Sequence, residues 1–190
     1  TISTEIEVRK QQLASGQQRG GLKSDSDSSK SSGGSADQRK QDNDDTYEQI
    51  RLSLAADIDN GLAEVERDGD KVIVRLASQG SFVSGSANLQ PSFAGLLMRV
   101  GNALSVSKGK VRVEGHTDNI PVAFSERFNS NWDLSAARSA SVADFFVDNS
   151  DLNQNAITVA GFADTRPIES NNTAAGREKN RRIEVIVDGS

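Results

Sequence analysis

Residues 111–138 read VRVEGHTDNIPVAFSERFNSNWDLSAAR. The β-branched run at 111–113 predicts a strand, which ends as the chain turns polar through Glu114, Gly115, His116, Thr117 and Asp118. Further on, Asn131 is placed to cap a helix whose first turns carry Trp132, Asp133, Leu134 and Arg138. An aspartate at a strand end can therefore stand beside an arginine on the next helix. Such a pair can read a zwitterion, the carboxylate facing an ammonium and the forked guanidinium facing a carboxylate. Each residue also has an ordinary reading. Asp118 can accept backbone N–H groups in its own turn, and Arg138 can be a helix-surface charge.

On either side of this stretch, helical and strand patterns alternate. Upstream, Thr46 and Gln49 fit a capping box, followed by one apolar stripe of Tyr47, Ile50, Leu54, Ile58, Leu62 and Val65 with Gly61 inside it. Asp68-Gly69-Asp70 is a turn, and residues 71–76 alternate around Val72 and Val74 as a first strand. A loop anchored by Phe82 leads to Pro91, which opens a helix through Phe93, Leu96, Leu97, Val100 and Leu104. A second strand covers 110–114. The helix at 132–149 turns Leu134, Ala137, Val142, Phe145 and Phe146 inward. A third strand covers 155–161, a loop holds Pro167, Thr173 opens a short helix, and residues 182–187 form a fourth strand. Crossover connections of this kind predict an α+β fold, an α/β sandwich in which a four-stranded mixed sheet packs with helices. Its domain spans 46–188.

Residues 14–45 consist largely of Ser, Gly, Asp, Lys and Gln, with Leu22 as the only large apolar side chain. Such a segment cannot bury enough surface to offset its ordering entropy, so 1–45 reads as a disordered linker. A short helix is allowed at 2–13, where Ile2, Ile6 and Leu13 recur at helical spacing. About 30 tether residues reach roughly 30 Å on average and about 100 Å when extended. The formal charge of −5 and pI near 5.0 argue against nucleic acid as a partner. The chain has no cysteine, hence no disulfide and no thiolate metal site. No apolar run approaches the roughly 20 residues that span a bilayer. The first residue is Thr1, and an anchor lying upstream is expected.

Residues that carry chemistry are few. His116 is the only histidine, and Asp118 is its one evident partner as a zinc ligand, so no metal or cofactor is expected. The ordinary reading has His116 bonded to the loop backbone. No serine sits in a nucleophile elbow. Glu114 with Asp118 could form a glycosidase-like pair, but Glu114 lies in a strand. The run Arg177, Lys179, Arg181, Arg182 reads as charge compensated by neighbouring glutamates.

The ordered series Gly115-His116-Thr117-Asp118, Asn131-x-x-Leu134-Ser135-x-x-Arg138, Gly161 with Pro167, and Asn172-Thr173-x-x-Gly176-Arg177-x-x-Asn180-Arg181-Arg182 resembles the OmpA-like peptidoglycan-binding domain. The resemblance covers residues 72–187. GHTDNIPV, SNWDLSAAR and the loop with Ser84-Gly85-Ser86-Ala87 are similar to the MotB/PomB branch, the B subunits of flagellar motor stators. This resemblance implies a periplasmic, non-enzymatic domain that binds the diaminopimelate residue of the peptidoglycan stem peptide without covalent chemistry. It places the key Asp on Asp118 and the key Arg on Arg138, with Thr117 and Asn131 lining the pocket. It further implies a homodimer, a stator A subunit of the MotA/PomA type met through a membrane segment, and contact with periplasmic flagellar ring proteins. The runner-up is an OmpA-like wall anchor of an outer-membrane protein or lipoprotein outside the motor.

Overall fold

The computed structural model describes residues 33–188 except 79, 84, 108 and 123–126, with side chains described from Lys40 onward. The expected short helix at 2–13 and the linker up to residue 32 lie outside the described residues. Helix α1 spans Gly33–Ser53 and is followed by a short helix α2, Ala55–Asp59. Strands β1 (Ala63–Asp68) and β2 (Lys71–Ala77) form a hairpin. Then come helix α3 (Pro91–Ser105), strand β3 (Val111–His116), helix α4 (Asn131–Asn149) and strand β4 (Ile157–Gly161). Helix α5 (Ala174–Asn180) and strand β5 (Arg182–Asp188) complete the described chain.

The sheet order is β1-β2-β5-β3-β4, with β3 and β4 parallel and the other pairs antiparallel. The α+β class and the mixed sheet are as expected, but the sheet has five strands rather than four. Residues 63–68, assigned to the end of a helix, form β1. The reason lies at Gly61, whose φ of +69° lets the chain leave the helix. The N–H of Gly61 donates to the carbonyl of Ile58 and that of Leu62 to the carbonyl of Asp57, the paired bonds of a Schellman ending. Glycine here stops the helix, and Val65 belongs to a strand.

The helix expected from Thr46 starts at Gly33 instead. Thr46 sits inside it, its hydroxyl donating to the carbonyl of Asp42 at 2.7 Å. The added turns hold Ala36, Gln38, Arg39, Lys40 and Gln41, which favour helix, among Gly, Ser, Asp and Asn, which do not, and they leave no apolar stripe. Docking begins at Asn43, which is buried and whose amide reaches the carbonyl of Gly69 at 3.5 Å. Asp44 pairs with Arg67 at 2.7 Å, and the Arg67 guanidinium lies over the Tyr47 ring.

Alternation along the strands sends Val72, Val74, Leu76, Val111, Val113, Ile183, Val185 and Val187 to one face. There they meet Ile50 and Leu54 of the first helical region, Phe93, Leu97, Val100 and Leu104 of α3, and Val142 and Phe146 of α4. The opposite face carries Arg75, Glu184 and Glu114 in one cross-strand row, with Arg182 opposite His116 in the next. Helix α4 lies against β3 and β4 at two glycines. A Cβ on Gly115 would fall 2.2 Å from the Ser135 carbonyl oxygen, and one on Gly161 would fall 2.5 Å from the Ala136 nitrogen. Those contacts fix the height of α4 above the sheet.

Gly115→Ala is therefore expected to lift α4 and to lower stability by at least about 1–3 kcal/mol in urea unfolding. Gly95→Ala, on the exposed side of α3 with only the Arg99 guanidinium near, should instead raise it by about 0.5–1 kcal/mol.

Candidate functional site

Strand β3 ends at His116, and the next residues are clamped by the segment after β4. The N–H of Thr117 donates to the carbonyl of Ala163 at 2.8 Å, and the N–H of Phe162 to that of Gly115 at 2.9 Å. Ala163 has a φ of +49° and is held there by its N–H donating to the Ser135 hydroxyl at 3.1 Å. Ser135 belongs to α4, so one helix turn ties both loops together.

On this support sits Asp118, buried, with both oxygens engaged. Oδ1 accepts the N–H of Ile120 at 3.0 Å, the turn bond that the ordinary reading of the sequence foresaw. Oδ2 pairs with the Arg181 guanidinium at 2.5 Å. The Asp118 carbonyl accepts the Thr117 hydroxyl at 2.9 Å and the Asn131 amide at 3.2 Å. Asn131 also donates to the carbonyl of Ile120 at 3.0 Å. Asn131 is not the N-cap of α4; Ser130 is, its hydroxyl accepting the Asp133 N–H at 3.2 Å. One position inside the helix, Asn131 is free to staple the Asp118 loop to it.

Arg138 is no surface charge. It is 8% exposed, its Nε donates to the carbonyl of Ser86 at 2.9 Å, and its Nη1 donates to the Ser78 hydroxyl at 3.3 Å. The guanidinium stands 5.0 Å over the Phe82 ring. Burial, and then the charge of Arg181, push its pKa down to about 10, while Asp118 acts in the opposite direction. Asp118 and Arg138 thus share one electrostatic neighbourhood, as the sequence suggested, but the direct partner of Asp118 is Arg181. That residue had been read as compensated surface charge. The signal for it was the Asn180-Arg181-Arg182 triplet. Asn180 is fully buried and locks the preceding loop through the N–H groups of Ile168 and Glu169 and the carbonyl of Glu169. It thereby fixes where the next residue emerges.

The sequence profile of the OmpA family matches residues 81–181, a span that contains Asp118, Asn131, Arg138 and Arg181. The chain belongs to the OmpA family. Motility protein B of Bacillus subtilis is 31% identical over 125 residues, 65% of this chain and 48% of that protein. The peptidoglycan-binding protein ArfA of Mycobacterium bovis is 37% identical over 109 residues, 57% of this chain and 32% of that protein. The chain therefore spans about half the length of the first of these relatives and about a third of the second. The cell wall anchor of the T6SS from Pseudomonas aeruginosa superposes with a TM-score of 0.70 at 38% identity, covering 74% of this chain and 97% of that one.

The other face of the OmpA-family sheet holds a second polar cluster. His116 makes no hydrogen bond to the described residues through either ring nitrogen, so the expected bond to the loop backbone does not form. Its ring stacks on Phe162, with centroids 5.6 Å apart, and the Arg166 guanidinium covers the far side of Phe162. Nε2 faces Glu114 and Glu184 at 3.8 and 4.0 Å rather than Asp118. These three could offer one ligand atom each to a metal ion. However, Arg112 and Arg166 already engage Glu114, and Arg75 and Arg182 engage Glu184. Both carboxylates are thus already paired with guanidinium groups that a divalent cation would have to displace. Burial first, then Arg182, with Arg166 and Arg75, pushes the His116 pKa from 6.5 to about 4, Glu184 opposing. Burial alone would raise Glu184, but Arg182 and Arg75 outweigh it and hold the carboxyl below its usual range.

His116 is thus neutral in the fold, while the unfolded chain takes up its proton below about pH 6.5. Stability is full above that value and falls as pH drops toward 4. The expected loss between pH 7 and pH 5 is about 2 kcal/mol. Urea unfolding at the two pH values measures it, and His116→Asn should flatten this part of the profile. The contribution of Glu184 is lost at lower pH, beneath the usual carboxylate range.

Proposed function

We propose that this chain binds peptidoglycan non-covalently, at the diaminopimelate residue of the stem peptide, and so anchors a larger assembly to the cell wall. The observation that carries the reading is the buried Arg138 guanidinium within electrostatic reach of Asp118, just past the end of β3. A diaminopimelate side chain ends in an ammonium and a carboxylate, and these two residues offer the matching charges. Thr117 and Asn131 shape the wall beneath, since both hydrogen-bond to the Asp118 carbonyl. A binding role rather than catalysis is supported by the position of Glu114. It is 2% exposed beneath Arg112 and Arg166 and so is a poor partner for Asp118 in acid–base chemistry. Relatives named for peptidoglycan binding and for cell wall anchoring point the same way.

The assembly in question is the flagellar motor stator. Similarity to Motility protein B supports this choice, together with the long loop between Asp118 and α4. In that setting the domain lies in the periplasm, works as a homodimer, and is joined by an upstream tether and membrane segment to an A subunit, with flagellar ring proteins as neighbours. No described helix is long and apolar enough to cross a membrane. The second reading, a wall anchor outside the motor, is favoured by the higher identity to the T6SS anchor and its near-complete coverage.

Sedimentation with purified diaminopimelate-type peptidoglycan should carry down the wild type and leave Asp118→Asn and Arg138→Ala in the supernatant. Each loss of a charge-assisted contact is expected to cost about 2–5 kcal/mol of binding. Co-sedimentation of both variants at the wild-type level would remove the site assignment.

A further inference from the structure

In the free domain Arg181 occupies the position that a bound ammonium would take. Its guanidinium pairs with Asp118 Oδ2, while the other Asp118 oxygen is held by the Ile120 N–H. The backbone of Arg181 is pinned on both sides. Its N–H donates to the carbonyl of Arg177, and its carbonyl accepts the N–H of Ser78 at 3.0 Å. The side chain is the more accessible part, 37% exposed against 8% for that of Asp118. Ser78 also accepts the Arg138 guanidinium at its hydroxyl, so one serine ties the Arg138 side chain to the backbone from which Arg181 projects. Together with Asp118 they make a site of two positive charges and one negative.

We propose that Arg181 is the specificity-determining residue of this pocket: it fills the ammonium seat on Asp118 in the free domain and yields it only to a ligand that also brings a carboxylate. This rests on the assignment of Asp118 and Arg138 to the peptidoglycan site. A ligand with an ammonium alone exchanges one cation for another at Asp118. It gains little, and it leaves Arg181 released beside Arg138 with no counter-charge. A zwitterionic head brings its own anion. Its ammonium takes Asp118, and its carboxylate receives the displaced Arg181 beside Arg138, so the site keeps its single excess positive charge instead of gaining a second. Arg138 spends Nε and one Nη1 N–H on Ser86 and Ser78 and keeps three N–H groups for a carboxylate, and a released Arg181 adds five of its own. Selection between a diaminopimelate and a lysine at the same place in a stem peptide is then an ion-pair exchange within the domain.

The test is calorimetric titration of this chain with soluble disaccharide-tripeptides carrying meso-diaminopimelate or L-lysine at the third position. The variants are Arg181→Ala and Arg181→Lys beside the wild type. The wild type is expected to prefer the diaminopimelate form by roughly 30-fold or more, as unmatched buried charge dictates. Arg181→Ala should narrow that preference about tenfold, chiefly by binding the lysine form more tightly. Arg181→Lys keeps the charge in the seat and should retain most of the preference, which separates selection from any effect on folding. An unchanged ratio in Arg181→Ala, or equal weakening of both ligands, overturns the proposal. So does a wild type that binds both forms alike, in which case wall binding stands and selection falls. A wild type that binds neither form sinks the wall-binding reading and this proposal with it.

Discussion

The contact on which the site depends is the bare backbone approach of α4 to β3 and β4 at Gly115 and Gly161. Without side chains at those two points, Ser135 reaches both the helix and the loop beyond β4. That loop in turn holds Thr117 through the Ala163 carbonyl. Asp118 is one residue further on. The position of a charged group is thus set by backbone packing in the sheet below it, and the aspartate's own bonds to Ile120, Asn131 and Arg181 orient it there.

The two faces of the sheet solve different problems. One is apolar and closed by α1, α3 and α4. The other places Glu114 directly opposite Glu184, an arrangement that would be unfavourable alone. Arginines from four places in the chain, at 75, 112, 166 and 182, convert it into an ion-pair network around two buried carboxylates. Breaking such a network by removing one member is costly even where the whole contributes little net stability. His116 stays neutral beside it, first because it is buried and then because of Arg182.

Much of this was legible in the residues. The β3–α4 stretch, the helix opened by Pro91 and the strand at 71–77 were readable because period and end signals agreed there. So were the placements of Asp118 just past a strand and of Arg138 on the next helix, since a polar strand end followed by a capped helix constrains both. What was missed shares one cause: local patterns underdetermined by their partners. Leu62 and Val65 continued a helical stripe that only the left-handed Gly61 breaks. Residues 33–45 carry helix-forming side chains with no apolar face, so composition spoke for a linker. Asn131 looked like a cap because Ser130 beside it is an equally good one. Arg181 lay in a charged run, and nothing in a one-dimensional pattern says which arginine turns toward an aspartate 63 residues away.

The docked part of α1 begins at Asn43, beside the hairpin turn at Gly69. That turn is at the Lys71–Asp188 end of the ladder, whereas Asp118 and Arg181 lie past the His116–Arg182 end. Tension applied between an upstream tether and a ligand on Asp118 therefore runs along the strands. The interstrand hydrogen bonds of β2, β5 and β3 are loaded together in shear instead of being peeled one after another. In the proposed role of a wall anchor, that orientation is the mechanically resistant one.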